Sequence, residues 1–282
     1  MRSSGPSRRA SARSSASTAK TSRAGPRRVP LGNRSTGGGL RLGTHAVEEA
    51  LRAGSATRVL VQRDLGARPR LQAIQALARE QGIAVAYVSA DELDALAGAS
   101  RHQGVAAETR PFRYRSLAEL LARPKIVRPL YLVLDGVEDP HNFGAMLRSA
   151  EAAGVDGVIV AEHRAAPVTP VVARAASGAI DYVPLAQVVN LPRALATMKE
   201  AGIWVYGLDV AGETAFDEAD YSRPVALVAG AEGKGLGRLV RESCDVLVRI
   251  PLYGQVTSLN VGAATAIALF AARRACDRDD KG

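Results

Sequence analysis

Pro224 to Phe270 reads PVALVAGAEGKGLGRLVRESCDVLVRIPLYGQVTSLNVGAATAIALF. A short apolar run, Val225 to Ala229, ends in glycines and leads into a helix-like piece. A second run, Val246 to Ile250, opens a polar loop, and a long Ala-rich helix, Leu259 to Arg273, closes the segment. The pattern predicts strand, loop, helix, strand, loop, helix. Gly230 and Gly233 let the first loop turn tightly and approach a ligand, with Glu232 the carboxylate between them. Ser258 and Asn260 fall where the second loop becomes the last helix, a place where hydroxyl and amide side chains cap free backbone N–H groups. Both loops follow strand ends, where open α/β sheets bind ligands.

Upstream, DPHNFGAMLRSAEAAG (139–154) reads as a loop and a helix, with Asn142 as its cap and Gly154 as its stop. Phe143, Leu147 and Ala150 form the apolar stripe, and Arg148 lies off it. Between the two stretches, strands at 157–160, 180–185 and 204–208 alternate with helices at 170–177 and 191–201. With a strand at 129–134, this alternation predicts a mostly parallel sheet covered on both faces.

DPHNFGAMLRSAEAAG, GAEGKG and IPLYGQVTSLNVGAATAI, in this order along the chain as in the family, resemble the SpoU-type RNA 2'-O-ribose methyltransferases of the SPOUT superfamily. The resemblance implies S-adenosylmethionine as cofactor, RNA as substrate, a homodimer, and a deep C-terminal trefoil knot. Topology rules alone lead instead to an unknotted sheet. Position by position, it implies a catalytic set of Arg148, Asn142, Glu232, Ser258 and Asn260, with Gly230, Gly233, Ile250, Ser258 and Leu259 at the cofactor. It departs from the family at Leu252, usually Met, and at Gly262, usually Ser.

Residues 40–110 predict a compact α/β unit: helices at 45–52, 69–80 and 91–97, strands at 58–62, 83–88 and 104–108, and Asp91 as a helix cap. GTHAVEEAL and RHQGVAAE resemble the N-terminal RNA-binding domain of the family's rRNA branch, which implies a 23S rRNA guanosine as target, ahead of a tRNA. A catalytically inactive RNA-binding protein of the same fold is the other alternative. Arg41, Arg52, Arg58, Arg63, Arg68 and Arg70 are candidate phosphate contacts. His45 and His102 read as helix-start or turn residues held by backbone, and Pro111 to Arg128 as a linker around a short helix at 117–121.

The predicted organisation is thus a basic tail (1–38), an RNA-binding domain (39–110), a linker (111–128), a methyltransferase domain (129–275) and a short tail (276–282). The net charge is +9 over 282 residues. Residues 1–38 hold nine Lys or Arg and no acid, leaving 28 of the 37 basic residues against all 28 acids in the rest. That tail is expected to be disordered. It reads either as an RNA arm driven by counterion release or as a solubilising or transit extension. Aromatics make up 4% of the chain, too few for a base-stacking surface to be the main binding device.

No apolar run reaches membrane-span length, so a cytoplasmic protein is expected, with no membrane partner. Cys244 and Cys276 lack metal-ligand spacing, so no metal is expected, and Cys244 reads as a core residue. GAEGKGLG has neither the G-x-G-x-x-G register nor a Ser or Thr after Lys234, which sets aside dinucleotide-dependent oxidoreductases and NTPases and leaves Lys234 a solvent-facing charge.

Overall fold

The structure is a computed structural model that describes residues 39–98, 100–122, 124 and 128–279. The basic tail, Arg123, Lys125 and the last three residues lie outside it.

Four strands form the first sheet: β1 (Gly39–Leu42), β2 (Ala56–Gln62), β3 (Ala84–Val88) and β4 (Val105–Thr109), in the order β1-β4-β2-β3. Alternation along the strands decides which residues meet which helices. Val59 and Val61 with Val105 and Ala107 face helices α1 (Thr44–Arg52) and α2 (Pro69–Glu80). Leu60 and Ala106 face Leu93 of α3 (Ala90–Ala97). Ser89, not Asp91, caps α3: it forms a capping box with Glu92, and Asp91 sits in the first turn. β1 was not expected from the sequence, because its four residues follow directly on the tail and offer little periodicity.

The second sheet holds β5 (Leu130–Leu134), β6 (Gly157–Ala161), β7 (Leu185–Val188), β8 (Trp204–Leu208), β9 (Thr214–Ala215), β10 (Val225–Ala229) and β11 (Val246–Arg249). The order is β7-β6-β5-β10-β8-β11-β9, with every ladder parallel. β5 and β10 lie side by side and every residue of both is buried, as continuous Val and Leu runs demand of strands covered on two faces. Leu132 and Leu227 face α5 (Pro140–Ala152), α6 (Pro170–Ala175) and α9 (Val261–Asp279). Val133 and Ala226 face α7 (Leu191–Glu200) and α8 (Arg238–Glu242).

One expectation changes here. The strand expected at 180–185 is a 3-10 turn at Ala179–Asp181, and β7 begins only at Leu185. Gly178, with φ of 90°, starts that turn, so the apolar residues after it pack as a turn rather than as a ladder. The segment read as a linker carries its short helix at the predicted place, and that helix is packed down. Its helix α4 (Leu117–Leu121) buries Leu120 against Gly157, where a side chain would collide with Leu120, and Arg115 bridges to Ala186 at the sheet edge.

Cys244 is half-buried, its thiol donates to the Val240 carbonyl, and burial pushes its pKa up to about 12, as suits a packing residue. His102 accepts from Gly104 N–H on one ring nitrogen and meets Asp94 with the other, so it is a turn residue.

Candidate active site

The loops after β8, β10 and β11 all leave the same edge of the sheet, and between them lies a cleft of about 610 Å³. Its walls are Leu208 to Val210, Ala229 to Leu236, and a stretch that includes Ile250, Leu252, Ser258, Leu259 and Asn260. A larger cavity of about 880 Å³ opens beside β1 and residues 110–115, lined by Arg110, Arg113 and Arg115. It brings none of the amide and carboxylate groups of the predicted site together, so volume does not choose between the two; chemistry does.

The first wall is built by absence of side chains. A Cβ on Gly230 would lie 2.1 Å from the backbone carbon of Gly235 and 2.5 Å from the Leu236 nitrogen, so only glycine fits. Ala231 and Gly235 exchange backbone hydrogen bonds at 3.0 and 2.9 Å, while Gly233 and Gly235 take φ values of 75° and 64°. Asp135, at the end of β5, holds the far side of this loop by accepting from the Gly237 N–H at 2.7 Å. Sequence reasoning missed Asp135, although a lone carboxylate closing the run LYLVLD was a visible signal. It also missed the Leu208–Val210 wall, for which the rule that ligands bind at the carboxyl ends of parallel strands was the available pointer.

At the lip of the cleft two loops meet the first turn of α5. Asn142 donates from Nδ2 to Glu232 Oε2 at 2.6 Å, and Asn260 donates from Nδ2 to Asn142 Oδ1 at 3.0 Å and to Glu232 Oε1 at 3.4 Å. Asn260 Oδ1 accepts from the N–H groups of Gly262 and Ala263, so this residue caps α9 as expected, and the cap fixes which way its amide points. Asn142 does not cap α5. Asp139 does, accepting the Asn142 N–H at 2.7 Å with Pro140 at the first helical position. The Asn142 side chain is thereby free to face Glu232.

The other predicted residues divide. Gly230, Gly233, Ile250, Ser258 and Leu259 line the cleft. Arg148 does not. It sits six residues beyond Asn142 on α5, about 9 Å further along the helix axis, and its Nη1 donates to Ser177 Oγ at 3.5 Å. Within one chain the guanidinium and the two loops therefore do not converge. Lys234 is exposed, as expected.

Several candidate phosphate contacts in the N-terminal half have other work. Arg41 is 6% exposed and paired with Asp181, Arg52 pairs with Glu48 and Glu49, and Arg70 pairs with Glu48. Arg58 buries Nη2 without a hydrogen-bond partner among the described residues. Arg63 and Arg68 are exposed. Among the described residues no group of three or more His, Cys, Asp or Glu could hold a metal ion, and no helix is long and apolar enough to cross a membrane.

Residues 129–270, which carry the cleft and all its walls, match the profile of the SpoU rRNA Methylase family. The chain belongs to this family. Residues 42–115 match a second profile, RNA 2'-O ribose methyltransferase substrate binding. The SpoU chain is 46% identical over 209 residues to the 23S rRNA (guanosine-2'-O-)-methyltransferase RlmB of Pseudomonas putida, covering 73% of this chain and 84% of that protein. It is 40% identical over 231 residues to YacO of Bacillus subtilis, named only to the level of a TrmH-family tRNA/rRNA methyltransferase, covering 81% and 92%. A crystal structure of an AdoMet-bound rRNA methyltransferase from Sinorhizobium meliloti superposes with a TM-score of 0.71 at 29% identity, covering 85% of this chain and 88% of that one. By family the SpoU chain is an RNA methyltransferase with an N-terminal substrate-binding domain.

Proposed function

We propose that this protein transfers a methyl group from S-adenosylmethionine to the ribose 2'-hydroxyl of a guanosine in 23S rRNA. The observation that carries the reading is the Asn142–Glu232–Asn260 cluster at the lip of a cleft made of glycine-rich and amide-capped loops. The residues present suit the cofactor: Ile250, Leu252 and Leu259 supply an apolar wall for an adenine, and the bare backbone around Gly230 lets main-chain groups approach it closely. When bound, S-adenosylmethionine supplies a methyl on a sulfonium, a leaving group that needs no metal.

The chain's own task is placement and charge. Asn142 and Asn260 hold the Glu232 carboxylate at the lip, where it can accept a proton or a hydrogen bond from an incoming hydroxyl. Arg148 cannot be the base, because a guanidinium stays protonated. Its role is to orient the target ribose and to stabilise charge developing on the 2'-oxygen.

Because Arg148 stands outside its own chain's cleft, we assign it to a site completed in a homodimer. Two features support that assembly. The loop residues 252–260 are exposed in the single chain, Tyr253 by 97%. α9 also shows solvent Ile267 and Phe270, each exposed by 40% or more, which is unusual for large apolar groups on one helix. The C-terminal knot belongs to this proposal as well. β11 lies beyond β8, yet α9 returns to pack on α5, so the intervening loop crosses the strand ends.

The names of the RlmB relatives, together with the match to the substrate-binding profile, favour rRNA over tRNA. A ribosomal substrate also places the work in the cytoplasm. Mapping ribose methyls in RNA from cells with and without the protein tests the substrate. Loss of one 2'-O-methylguanosine in 23S rRNA is expected, whereas intact rRNA with a tRNA ribose methyl missing would overturn the rRNA assignment.

A further inference from the structure

The turn that follows α6 is held from two sides. On one side, β1 and α1 of the N-terminal domain grip it. Arg41 pairs with Asp181 through Nε to Oδ2 at 3.1 Å and Nη2 to Oδ1 at 2.8 Å, with side-chain exposures of 7% and 5%. Tyr182 donates its hydroxyl to Glu49 Oε2 at 2.9 Å, and Arg174 bonds to Ser100. Gly178 lies so close to α1 that a Cβ there would meet Glu49 Cβ at 2.6 Å.

On the other side, Ser177 Oγ receives the hydrogen bond from Arg148. Ser177 takes a φ of 49°, a left-handed conformation uncommon for any residue but glycine, which persists where the surroundings over-determine it.

A buried ion pair is weak glue, since desolvation offsets much of its attraction, but its bidentate geometry admits one arrangement. Ser177 lies four residues from Asp181, so fixing the carboxylate fixes where the serine hydroxyl stands. α5 is bound into the same unit. A Cβ on Gly144 would be 2.3 Å from Ala175 Cβ, so α5 and α6 are packed nearly backbone to backbone. The helix that carries Asn142 and Arg148 thus rests on an element whose far end the N-terminal domain holds.

We propose that Ser177 is a positioning residue for Arg148, and that the N-terminal domain, through Arg41, Glu49 and the turn 176–182, sets the guanidinium's orientation for the reaction. The substrate-binding domain then does more than hold RNA: when docked, it completes the methyltransferase domain. At 3.5 Å the Ser177 contact guides the guanidinium rather than locking it, which suits a side chain that must still engage a substrate. The proposal rests on the role given to Arg148 above.

The test uses the full chain with S-adenosylmethionine and a ribosomal RNA substrate. Ser177→Gly keeps a backbone at ease with positive φ and removes the CH2OH, with its contacts to Arg148 and to the Arg174 carbonyl. It is expected to lower kcat by about tenfold or more, with KM for RNA, cofactor affinity and Tm close to wild type. Ser177→Asn, which tolerates the same φ and restores a polar acceptor, should recover most of that loss. Gly178→Ala, which pushes the turn off Glu49, should show the same split between kcat and KM.

In an Arg148→Lys background Ser177→Gly should cost nothing further, because its effect runs through the guanidinium. Wild-type kcat in Ser177→Gly, or a full additional loss in that background, overturns the proposal. An Arg148→Ala variant of undiminished activity overturns instead the role of Arg148 itself. Inactive Arg148→Ala beside fully active Ser177→Gly removes only the positioning turn.

Discussion

Asn142 makes two hydrogen bonds at the lip of the cleft, one to Glu232 and one from Asn260, so its amide decides how that carboxylate faces. Asn142→Ala is expected to lower kcat by roughly a hundredfold, the scale seen when one preorganised polar group is removed from a reaction site. Cofactor affinity measured by calorimetry should hold within twofold, and unchanged single-turnover rates would contradict the role. Gly230→Ala acts differently. Its Cβ has no room beside Gly235 and Leu236, so the loop must shift, at a cost of about 1–3 kcal/mol in stability. Titration with S-adenosylmethionine should then give no measurable binding, and wild-type affinity would refute the reading of this loop. Gly262 also bears on the site. A Cβ there would come within 3.1 Å of Asn260 Oδ1, so a serine at this departure from the family must press on the cap.

Among the elements, the parallel sheet was the most legible part. β8 and β10 fall where the apolar runs placed them, and β10, buried along its whole length, is written as an unbroken run of Val, Ala and Leu. Three kinds of feature were not legible. β1 and β9 are held by pairing with strands distant in sequence, to β4 and β11, so their own residues carry little signal. The 3-10 turn at Ala179 depends on Gly178 being pinned against α1, which is tertiary information. Asn142 looked like a cap because amides favour that position, and only the structure shows Asp139 taking it.

Glu232, Asn142 and Asn260, which the motifs named together, lie within hydrogen-bonding distance of one another, but the motifs could not show that Arg148 points to Ser177 and away from its own cleft. The close approach of α5 to α6 gives a prediction at this scale. Gly144→Ala should lower stability by about 1–3 kcal/mol, because Ala175 and the Val172 carbonyl stand within 2.9 Å of the new carbon. Thermal unfolding checks it, and an unchanged Tm would mean that the helices can separate freely.

For the whole molecule, buried tyrosines govern the alkaline limit. Burial, first of all, raises Tyr131 from the ordinary 10.0 to about 12, with the nearby Asp156 carboxylate adding to the shift; the fully buried Tyr221 moves in the same direction, for the same first cause. A raised pKa means the folded state keeps a proton that the unfolded state has lost. Their stabilisation is therefore complete below about pH 10 and disappears as pH rises from there to about 12. Denaturant midpoints measured across that range should fall with pH, and a midpoint flat to pH 12 would contradict the packing assigned to these rings.

The proposed homodimer is tested at this scale as well. Wild-type protein should sediment as a dimer, and Ile267→Glu with Phe270→Glu as a monomer that has lost activity while keeping its fold by circular dichroism. A fully active monomer would show that Arg148 needs no second copy.

The most direct measurement of the central claim is nucleoside mass spectrometry of 23S rRNA incubated with the purified protein and methyl-labelled S-adenosylmethionine. Label is expected on the ribose of a single guanosine as its 2'-O-methyl derivative, and is expected to be absent with Arg148→Ala. Label on a base, or none with the wild-type protein under conditions where the cofactor binds, would contradict it.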